Sequence, residues 1–210
     1  MKTGNGFYKG CYRLARAMTA VFYRLRVSGR ENIPEGAALV CANHSSLLDP
    51  FLIAFAFGVE HHMHIIAKAE LFRIPVVSGI LRRLGMISVN RGILDIATIK
   101  DTLNYLKNGE KVVIFPEGTR ATEDGAVSAK GGAVKIAERA GVPLVPLHIP
   151  RKKPLFGKIQ VNIGEPYYID RQPQKRVPDD YIRLSGILME RIKLLSPEPN
   201  EGIRNSELVP

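Results

Sequence analysis

The sequence contains only two cysteines, Cys11 and Cys41, and neither belongs to a CxxC pair. This scarcity excludes a disulfide framework and indicates a protein of a reducing, cytosolic compartment. The sequence also lacks an uninterrupted apolar run of the roughly 20 residues that span a bilayer, since its longest candidate, LLDPFLIAFAFG, is short and contains Asp49. Arginines interrupt the N-terminal apolar residues, so we expect no cleavable signal peptide and no membrane span.

Acidic residues are absent from residues 1–30, although this stretch contains seven lysines and arginines and the 210-residue chain has a net charge of +10. A positive field of this kind attracts polyanions: nucleic acid, anionic lipid headgroups or an acidic carrier protein. Charge alone does not distinguish among the three. The composition is otherwise that of a globular protein, and the length is sufficient for one domain with a substantial core.

Residues 6–25 repeat apolar side chains at helical spacing, with basic residues between them. The predicted stripe contains Phe7, Cys11, Leu14, Met18, Val21, Phe22 and Leu25. Such a helix can lie in a membrane interface, with its stripe in the acyl region and its cations among the phosphates. The alternative is a helix that packs this stripe on the protein's own core. We predict that residues 1–25 form an amphipathic membrane-docking helix.

Short apolar segments alternate with helical patterns along the rest of the chain. The predicted strands cover residues 25–29, 37–42, 63–67, 86–90, 111–115, 143–149 and 158–164. The predicted helices cover residues 50–57, 76–84, 94–107, 131–140 and 179–195. This alternation predicts an α/β fold over residues 26–195, with a mixed, largely buried sheet flanked by helices. Residues 196–210 are rich in proline and poor in apolar residues, so we predict a mobile tail.

The segment NHSSLLDP places His44 and Asp49 five positions apart, directly after a predicted strand. On a continuous helix these side chains would point about 140° apart. Pro50 disfavours helical backbone at Asp49 and suits the first turn of a new helix. We therefore predict a turn that folds the Asp49 carboxylate back onto His44, which would make the imidazole a general base. The alternative is a histidine in a turn and an aspartate that caps the helix.

The segment VVIFPEGTRA ends another predicted strand in polar residues, Glu117 to Arg120. Ligands of open α/β sheets bind at the carboxyl ends of strands. Gly118 permits close approach of the backbone, whose N–H groups there could stabilise an oxyanion, and Arg120 offers a fork suited to phosphate. Lys130 precedes a predicted helix, whose first N–H groups also favour anions. The alternative is a β-turn with a surface ion pair.

Lys68 and Arg91 lie close to the ends of two further predicted strands. Each alone is typical of a solvated surface charge. Together with Arg120 and Lys130, they could form a basic pocket near His44.

Four segments together resemble the motifs of the glycerolipid acyltransferases, and of the 1-acylglycerol-3-phosphate (lysophosphatidic acid) acyltransferase family in particular. NHSSLLDP resembles the N-H-x4-D box, KAEL with LGMISVNR the second region, FPEGTR the third box and GVPLVPL the fourth. The segments occur in the family's order between residues 27 and 164. Two positions depart from the family's pattern: Ala121, where serine often follows the third box, and Asn90, where aspartate is frequent.

The resemblance implies acyl transfer from acyl-CoA or acyl-carrier protein to the free hydroxyl of lysophosphatidate, without metal or other cofactor. It implies that His44 removes the hydroxyl proton and that Asp49 orients His44. The substrate-binding residues that we expect are Lys68, Arg91, Glu117, Gly118, Thr119, Arg120 and Lys130. The expected partner surface is the phospholipid bilayer, at the cytoplasmic face of the cell membrane, where the protein would be peripheral or monotopic. Nucleic acid is not expected as a partner, since no binding motif for it is recognisable.

Other functions fit parts of the sequence. The acceptor could be glycerol-3-phosphate or another lysolipid, or the protein could bind anionic membranes without catalysis. A hydrolase could use His44 with Ser45 or a metal, but the G-x-S-x-G motif is absent and we interpret Ser45 and Ser46 as turn residues. His61, His62 and His64 resemble a metal tract without cysteine, and we predict solvated loop histidines instead.

Overall fold

A central β-sheet organises the protein. The computed structural model describes residues 5–90, 95–118, 131–170 and 176–197. Within these residues the strands are β1 (Arg24–Ser28), β2 (Ala38–Ala42), β3 (Met63–Lys68), β4 (Ile87–Val89), β5 (Lys111–Ile114), β6 (Leu144–His148) and β7 (Lys158–Ile163). The helices there are α1 (Asn5–Phe22), α2 (Asp49–Phe57), α3 (Pro75–Arg83), α4 (Ile96–Lys107), α5 (Gly132–Ala140) and α6 (Pro178–Leu194). Short 3-10 helices cover Arg30–Asn32 and Ala69–Arg73.

The strand order sets the edge at which chemistry can occur. Across the described residues the sheet has seven strands in the order β1-β7-β6-β2-β5-β3-β4. Neighbouring strands are parallel except β6 and β7, which are antiparallel. The last residues of β2, β3, β4, β5 and β6 therefore meet at one edge with the first residues of β1 and β7. We call this edge the carboxyl edge, because parallel strands end there and α/β sheets bind ligands there.

Helices cover both faces of the sheet, so the central strands are buried on two sides. Successive residues of a strand point to opposite faces. Val40 of β2 packs in a cluster with Leu52 of α2, whereas the adjacent Leu39 packs in a second cluster with Val134 of α5 and Leu188 of α6. This two-sided burial explains why β2 reads as a continuous apolar run.

The N-terminal helix α1 has a packed side and an exposed side. Tyr12 packs edge-on against Phe55 of α2, with 5.3 Å between the ring centroids. The large apolar residues of α1 that are exposed are Leu14, Met18, Val21 and Phe22. The helix thus meets the core through the border of the predicted stripe and leaves much of the stripe itself uncovered. None of the described helices is long and apolar enough to cross a membrane.

The structure confirms the predicted α/β fold with a mixed, largely buried sheet flanked by helices and preceded by an N-terminal helix. Each predicted strand is present, with ends that differ by at most one residue. The helix predicted over residues 6–25 is too long, because β1 already begins at Arg24 and takes Leu25 into the sheet. The division into residues 1–25, 26–195 and 196–210 stays a prediction, and residues 198–210 lie outside the described residues.

Candidate active site

Asn43 fastens the end of β2 to the end of β6. Its Nδ2 donates to the Ile149 carbonyl at 2.8 Å, and the Ile149 N–H donates to Asn43 Oδ1 at 2.9 Å. Both residues are buried, so the pair satisfies backbone groups beyond the end of the strand ladder. The next residue, His44, is thereby held at the carboxyl edge.

The turn after Asn43 brings His44 and Asp49 together, as the sequence predicts. His44 Nδ1 lies 3.0 Å from Asp49 Oδ2. The same oxygen accepts the backbone N–H groups of Ser45 and Ser46, each at 2.7 Å. An ionised carboxylate only accepts hydrogen bonds, so this contact places a proton on Nδ1 and leaves the lone pair of a neutral ring on Nε2.

A buried lysine lies on the other side of the Asp49 carboxylate. Lys153 Nζ is 2.9 Å from Asp49 Oδ1 and donates to Ser45 Oγ at 2.9 Å, and its side chain is only 6% exposed. Burial raises the pKa of the Asp49 carboxyl, but the hydrogen bonds from His44 and Lys153 and the charge of Lys153 outweigh burial and hold that pKa below its usual range. Asp49 is therefore ionised at neutral pH.

Glu117 supports the backbone of His44 from the neighbouring strand end. It is 2% exposed; its Oε2 accepts the His44 N–H at 3.2 Å and its Oε1 accepts Arg151 Nη2 at 2.7 Å. Arg151 also donates through Nη1 to the His44 carbonyl at 3.3 Å. Both oxygens of Glu117 are thus bonded to protein groups, and its expected contact with the acceptor stays a prediction.

Arg151 and Lys153 are absent from the sequence-based site. They follow β6 in the segment RKKP, and charged residues directly after a buried strand are the same signal that singles out Glu117. What the sequence does not reveal is that β6 lies beside β2 in the sheet. Only this neighbourhood places the two cations against His44 and Asp49.

The His44 ring lines an apolar groove. It stacks on Phe115 with 4.0 Å between the ring centroids and borders a cavity of about 300 Å³, which Lys68 at the end of β3 also borders. The walls come from α1, α2, β3 and the end of α3, with the apolar residues Tyr12, Phe55, Ile65 and Leu84. Nε2 of His44 has no hydrogen-bond partner among the described residues. An apolar cavity with a few polar groups at its border is the usual form of a site for an apolar ligand.

The remaining predicted site residues are placed only in part. The Lys68 side chain is half-exposed, and its Nζ lies 3.2 Å from Glu70 Oε1. Gly118 has a φ of 69°, and its N–H donates to the Phe115 carbonyl at 2.9 Å. The Gly118 N–H is thus already bonded, and the expectation that backbone N–H groups around Gly118 stabilise an oxyanion stays a prediction. Arg91, Thr119, Arg120 and Lys130 lie outside the described residues.

The expectation of solvated loop histidines is wrong for His64. This residue is fully buried in β3; its Nδ1 lies 2.8 Å from the Gly85 carbonyl and its ring stacks on Tyr105 of α4 at 3.7 Å. His64 therefore connects β3 to Tyr105 of α4 through its ring and to Gly85 through Nδ1. Over the described ranges, no group of three or more His, Cys, Asp or Glu residues could hold a metal ion.

Comparisons with known proteins agree on one family. A family model described as Acyltransferase matches residues 24–150. The chain is 34% identical over 168 residues to the 1-acyl-sn-glycerol-3-phosphate acyltransferase of Bacillus subtilis (strain 168), which covers 77% of this chain and 82% of that protein. It is 29% identical over 169 residues to the protein of the same name from Borreliella burgdorferi, covering 79% of this chain and 66% of that protein. The crystal structure of the 1-acyl-sn-glycerophosphate (LPA) acyltransferase PlsC from Thermotoga maritima superposes with a TM-score of 0.67 at 28% identity, covering 94% of this chain and 81% of that chain.

Proposed function

The chain belongs to the Acyltransferase family, and from this membership we propose that it transfers an acyl group from a thioester to the free hydroxyl of 1-acylglycerol-3-phosphate, forming phosphatidic acid. The relatives reported above carry this activity in their names. The observation that supports the proposal most directly is the 3.0 Å contact between His44 and a buried, ionised Asp49 beside an apolar groove.

His44 is the general base of the proposed reaction. An alcohol is a poor nucleophile near neutral pH, so Nε2 removes the hydroxyl proton while the hydroxyl oxygen attacks the thioester carbonyl carbon. A C–O bond forms, the C–S bond breaks, and the proton held by His44 passes to the leaving thiolate. Asp49 orients the ring through Nδ1 and stabilises the transient imidazolium. No covalent acyl-enzyme, metal or other cofactor takes part.

Lys153, Arg151 and Glu117 act on this step through other residues. Lys153 contacts the Asp49 oxygen that His44 does not use, so it fixes the plane of the carboxylate and keeps it charged. Glu117 and Arg151 bond the N–H and the carbonyl of His44, which fixes the backbone that carries the ring. These three are positioning residues, because none needs to touch the reacting atoms.

The apolar groove beside His44 holds the acyl chain. Side chains from four elements form its walls, and the ring of His44, the proposed general base, lies at its border. An alkyl chain buried there gains about 0.8 kcal/mol per methylene group. The donor is acyl-CoA or acyl-carrier protein, and its thioester carbonyl must reach the ring from the border of the groove.

Cations at the carboxyl edge bind the acceptor's phosphate. Lys68 is the last residue of β3, and in the sequence Arg91 comes shortly after β4 and Arg120 comes after β5, both of which end at this edge. A guanidinium fork suits a phosphate because it can donate two parallel hydrogen bonds. Lys130 is the fourth cation of the proposed phosphate site, and residues 117–119 border the glycerol.

The lipid acceptor requires the protein to work at a bilayer surface. The uncovered side of α1 has exposed apolar residues, and Arg13 of the same helix is also exposed, which suits an interfacial helix with a cation among the phosphates. We propose that the protein is peripheral or monotopic at the cytoplasmic face of the cell membrane.

Product analysis tests this function. The full-length protein is incubated with lysophosphatidate, glycerol-3-phosphate and a neutral lysolipid in competition, once with acyl-CoA and once with acyl-carrier protein as donor. We expect phosphatidic acid as the main product by mass spectrometry, and its loss in a His44→Ala variant. Preferential acylation of another acceptor, or release of free fatty acid from the donor alone, would contradict the proposed acceptor or the proposed reaction, respectively.

A further inference from the structure

The connection between β6 and β7 exposes two large apolar side chains at the carboxyl edge. Leu155 is 60% exposed and Phe156 is 65% exposed. β7 begins four residues before Asn162, the residue that pairs with His148 at the end of β6. At a rise of about 3.3 Å per residue, this places the connection roughly 13 Å beyond that pair, outside the edge of the sheet. We call residues 154–157 the β6–β7 tip.

The backbone holds the tip in an open, outward conformation. Phe156 has a φ of 60°, which is the one positive value of a non-glycine residue over the described ranges. Bulky residues rarely adopt this conformation. The Gly157 N–H donates to the Pro154 carbonyl at 2.9 Å, and a Cβ on Gly157 would lie 2.6 Å from Pro154 Cγ. An exposed aromatic side chain is therefore fixed on a strained turn instead of folding back onto the protein.

The tip is continuous with the uncovered side of α1. The Phe156 N–H donates to the Phe22 carbonyl at 2.7 Å, and the Arg24 N–H donates to the Gly157 carbonyl at 3.0 Å. The rings of Phe22 and Phe156 have centroids 6.0 Å apart. Leu14, Met18 and Val21 extend the same apolar surface along α1, at spacings of four and three residues.

Two exposed cations lie at the base of the tip. Arg24 of β1 and Lys158 of β7 are directly paired in the parallel register of the sheet, and both are exposed. Like charges on paired positions of adjacent strands are unfavourable. Within the described part of the chain neither forms an ion pair. An apolar point above paired cations is complementary to a bilayer that has acyl chains beneath a layer of phosphates.

We propose that the β6–β7 tip is a second membrane contact: Leu155 and Phe156 insert among the acyl chains of an anionic phospholipid bilayer, and Arg24 and Lys158 bind lipid phosphates. This proposal rests on the lipid-directed function proposed above. It adds a contact beside α1, so that the protein docks through an apolar surface that the exposed side of α1 and the tip form together.

A fluorescent reporter tests the insertion directly. The chain contains no tryptophan, so a Phe156→Trp variant has a single reporter at the tip. With vesicles of equal parts phosphatidylcholine and phosphatidylglycerol, we expect a blue shift of its emission and quenching by lipids brominated in the acyl chain. The matched controls are Met18→Trp on α1, which should also respond, and Ile182→Trp on the exposed side of α6, which should not.

The pattern across the three variants separates this proposal from the proposed function. A response of Met18→Trp without Phe156→Trp overturns the tip insertion and leaves docking through α1 intact. No response in either, with the protein in the supernatant after vesicle sedimentation, overturns both docking claims. Insertion of the tip by a protein that forms no phosphatidic acid supports the membrane contact and contradicts the proposed function alone.

Substitutions measure the contribution of each part of the tip. Leu155→Ser with Phe156→Ser should reduce vesicle partitioning by roughly tenfold or more, because two apolar side chains lose their burial in lipid. Arg24→Gln with Lys158→Gln should reduce binding to anionic vesicles by roughly thirtyfold, with little effect on neutral ones. Ile96→Ser with Ile182→Ser is the matched apolar control. Activity on detergent-dispersed substrate should be unchanged in all three. Equal partitioning of the tip variant and the control would overturn the proposal.

Discussion

The two carboxylate oxygens of Asp49 contact four donor groups. Oδ2 lies beside His44 Nδ1 and accepts hydrogen bonds from the backbone N–H groups of Ser45 and Ser46, and Oδ1 contacts Lys153 Nζ. Each nitrogen lies within 3.0 Å of its oxygen. One side chain therefore closes the turn, orients the base and balances a buried cation. In the proposed reaction, stability and catalysis at this site depend on the same charge.

The pH dependence of stability tests the charge of Asp49. Its pKa is lowered in the folded protein, so its ionised form contributes stability above the unfolded pKa of about 4, and this contribution is lost as the pH falls through the lower folded pKa. We expect the difference in unfolding free energy between the wild type and Asp49→Asn to be constant near neutral pH and to shrink on acidification below about pH 4. Denaturant titrations at a series of pH values measure it. A difference that grows on acidification would show that the pKa is raised instead.

Lys153 gives the sharpest test of a positioning role. Lys153→Met removes the partner of Asp49 Oδ1, and loss of orientation in a catalytic group can cost roughly a hundredfold when the displacement approaches ~1 Å. We expect kcat to fall and the KM for lysophosphatidate to stay unchanged, with partial rescue by Lys153→Arg. Lys152→Met is the matched control, because Lys152 is the exposed neighbour in the chain. A higher KM at unchanged kcat would indicate instead that Lys153 binds the acceptor.

At the scale of elements, helices α1 and α2 form much of the wall of the groove, so in the proposed function they limit the length of the acyl chain that it holds. Ala15 of α1 borders the cavity, whereas Ala17 of the same helix is exposed. Ala15→Leu should fill part of the cavity and shift the preferred donor towards shorter acyl chains. Ala17→Leu should not. Rates with a series of acyl-CoA lengths in detergent measure the shift, and identical length profiles for both variants would mean that the acyl chain binds elsewhere.

The bounds of individual helices and strands can be predicted from the sequence more accurately than the side of each element that meets the core. The strands are predicted to within one residue because β-branched runs lie between glycines, prolines and polar residues. The helical period of α1 also identifies an apolar stripe, but it does not show which arc of the helix meets the core. Tyr12, at the border of the stripe, packs on Phe55, whereas Leu14 and Met18 from its centre stay exposed. Packing partners decide this, and they are distant in sequence.

At the scale of the whole molecule, the two faces of the sheet have different surroundings. Helices α4, α5 and α6 contribute to the core on one face, and α2 contributes to the core on the other, where it also packs against α1. The end of α1 contacts the β6–β7 tip, and the turn with His44 leads into α2, which packs against α1. A bilayer that contacts the exposed apolar side of α1 would therefore lie close to the tip as well.

Docking through α1 is tested by substitution at its uncovered side. Deletion of the helix is unsuitable, because Tyr12 and Ala15 border the groove. A variant with Leu14→Ser, Met18→Ser and Val21→Ser keeps that wall and removes three exposed apolar side chains. We expect a large loss of activity on lysophosphatidate in anionic vesicles and near wild-type activity on the detergent-dispersed lipid. Equal losses in both assays would contradict the docking role.

The sequence predicts those contacts of the site that form between residues close together in the chain. It does not predict the contacts that depend on the order of the strands in the sheet. The contact of His44 with Asp49 is fixed by a turn of a few residues and by Pro50, so it can be predicted. Arg151 and Lys153 come more than a hundred positions later and reach the same site only because β6 adopts its place beside β2. Glu117 is predicted as a site residue, but its bonds to His44 and Arg151 appear only in the folded protein.

The rate of phosphatidic acid formation by a His44→Ala variant tests the central assignment most directly. Removal of a general base should lower kcat by roughly 10²–10⁴-fold. The variant should still fold and bind vesicles, because Asp49 keeps the N–H groups of Ser45 and Ser46 and the ammonium of Lys153 as partners. A His44→Ala protein that folds, binds vesicles and forms phosphatidic acid at nearly the wild-type rate would contradict the assignment of His44 as the catalytic base.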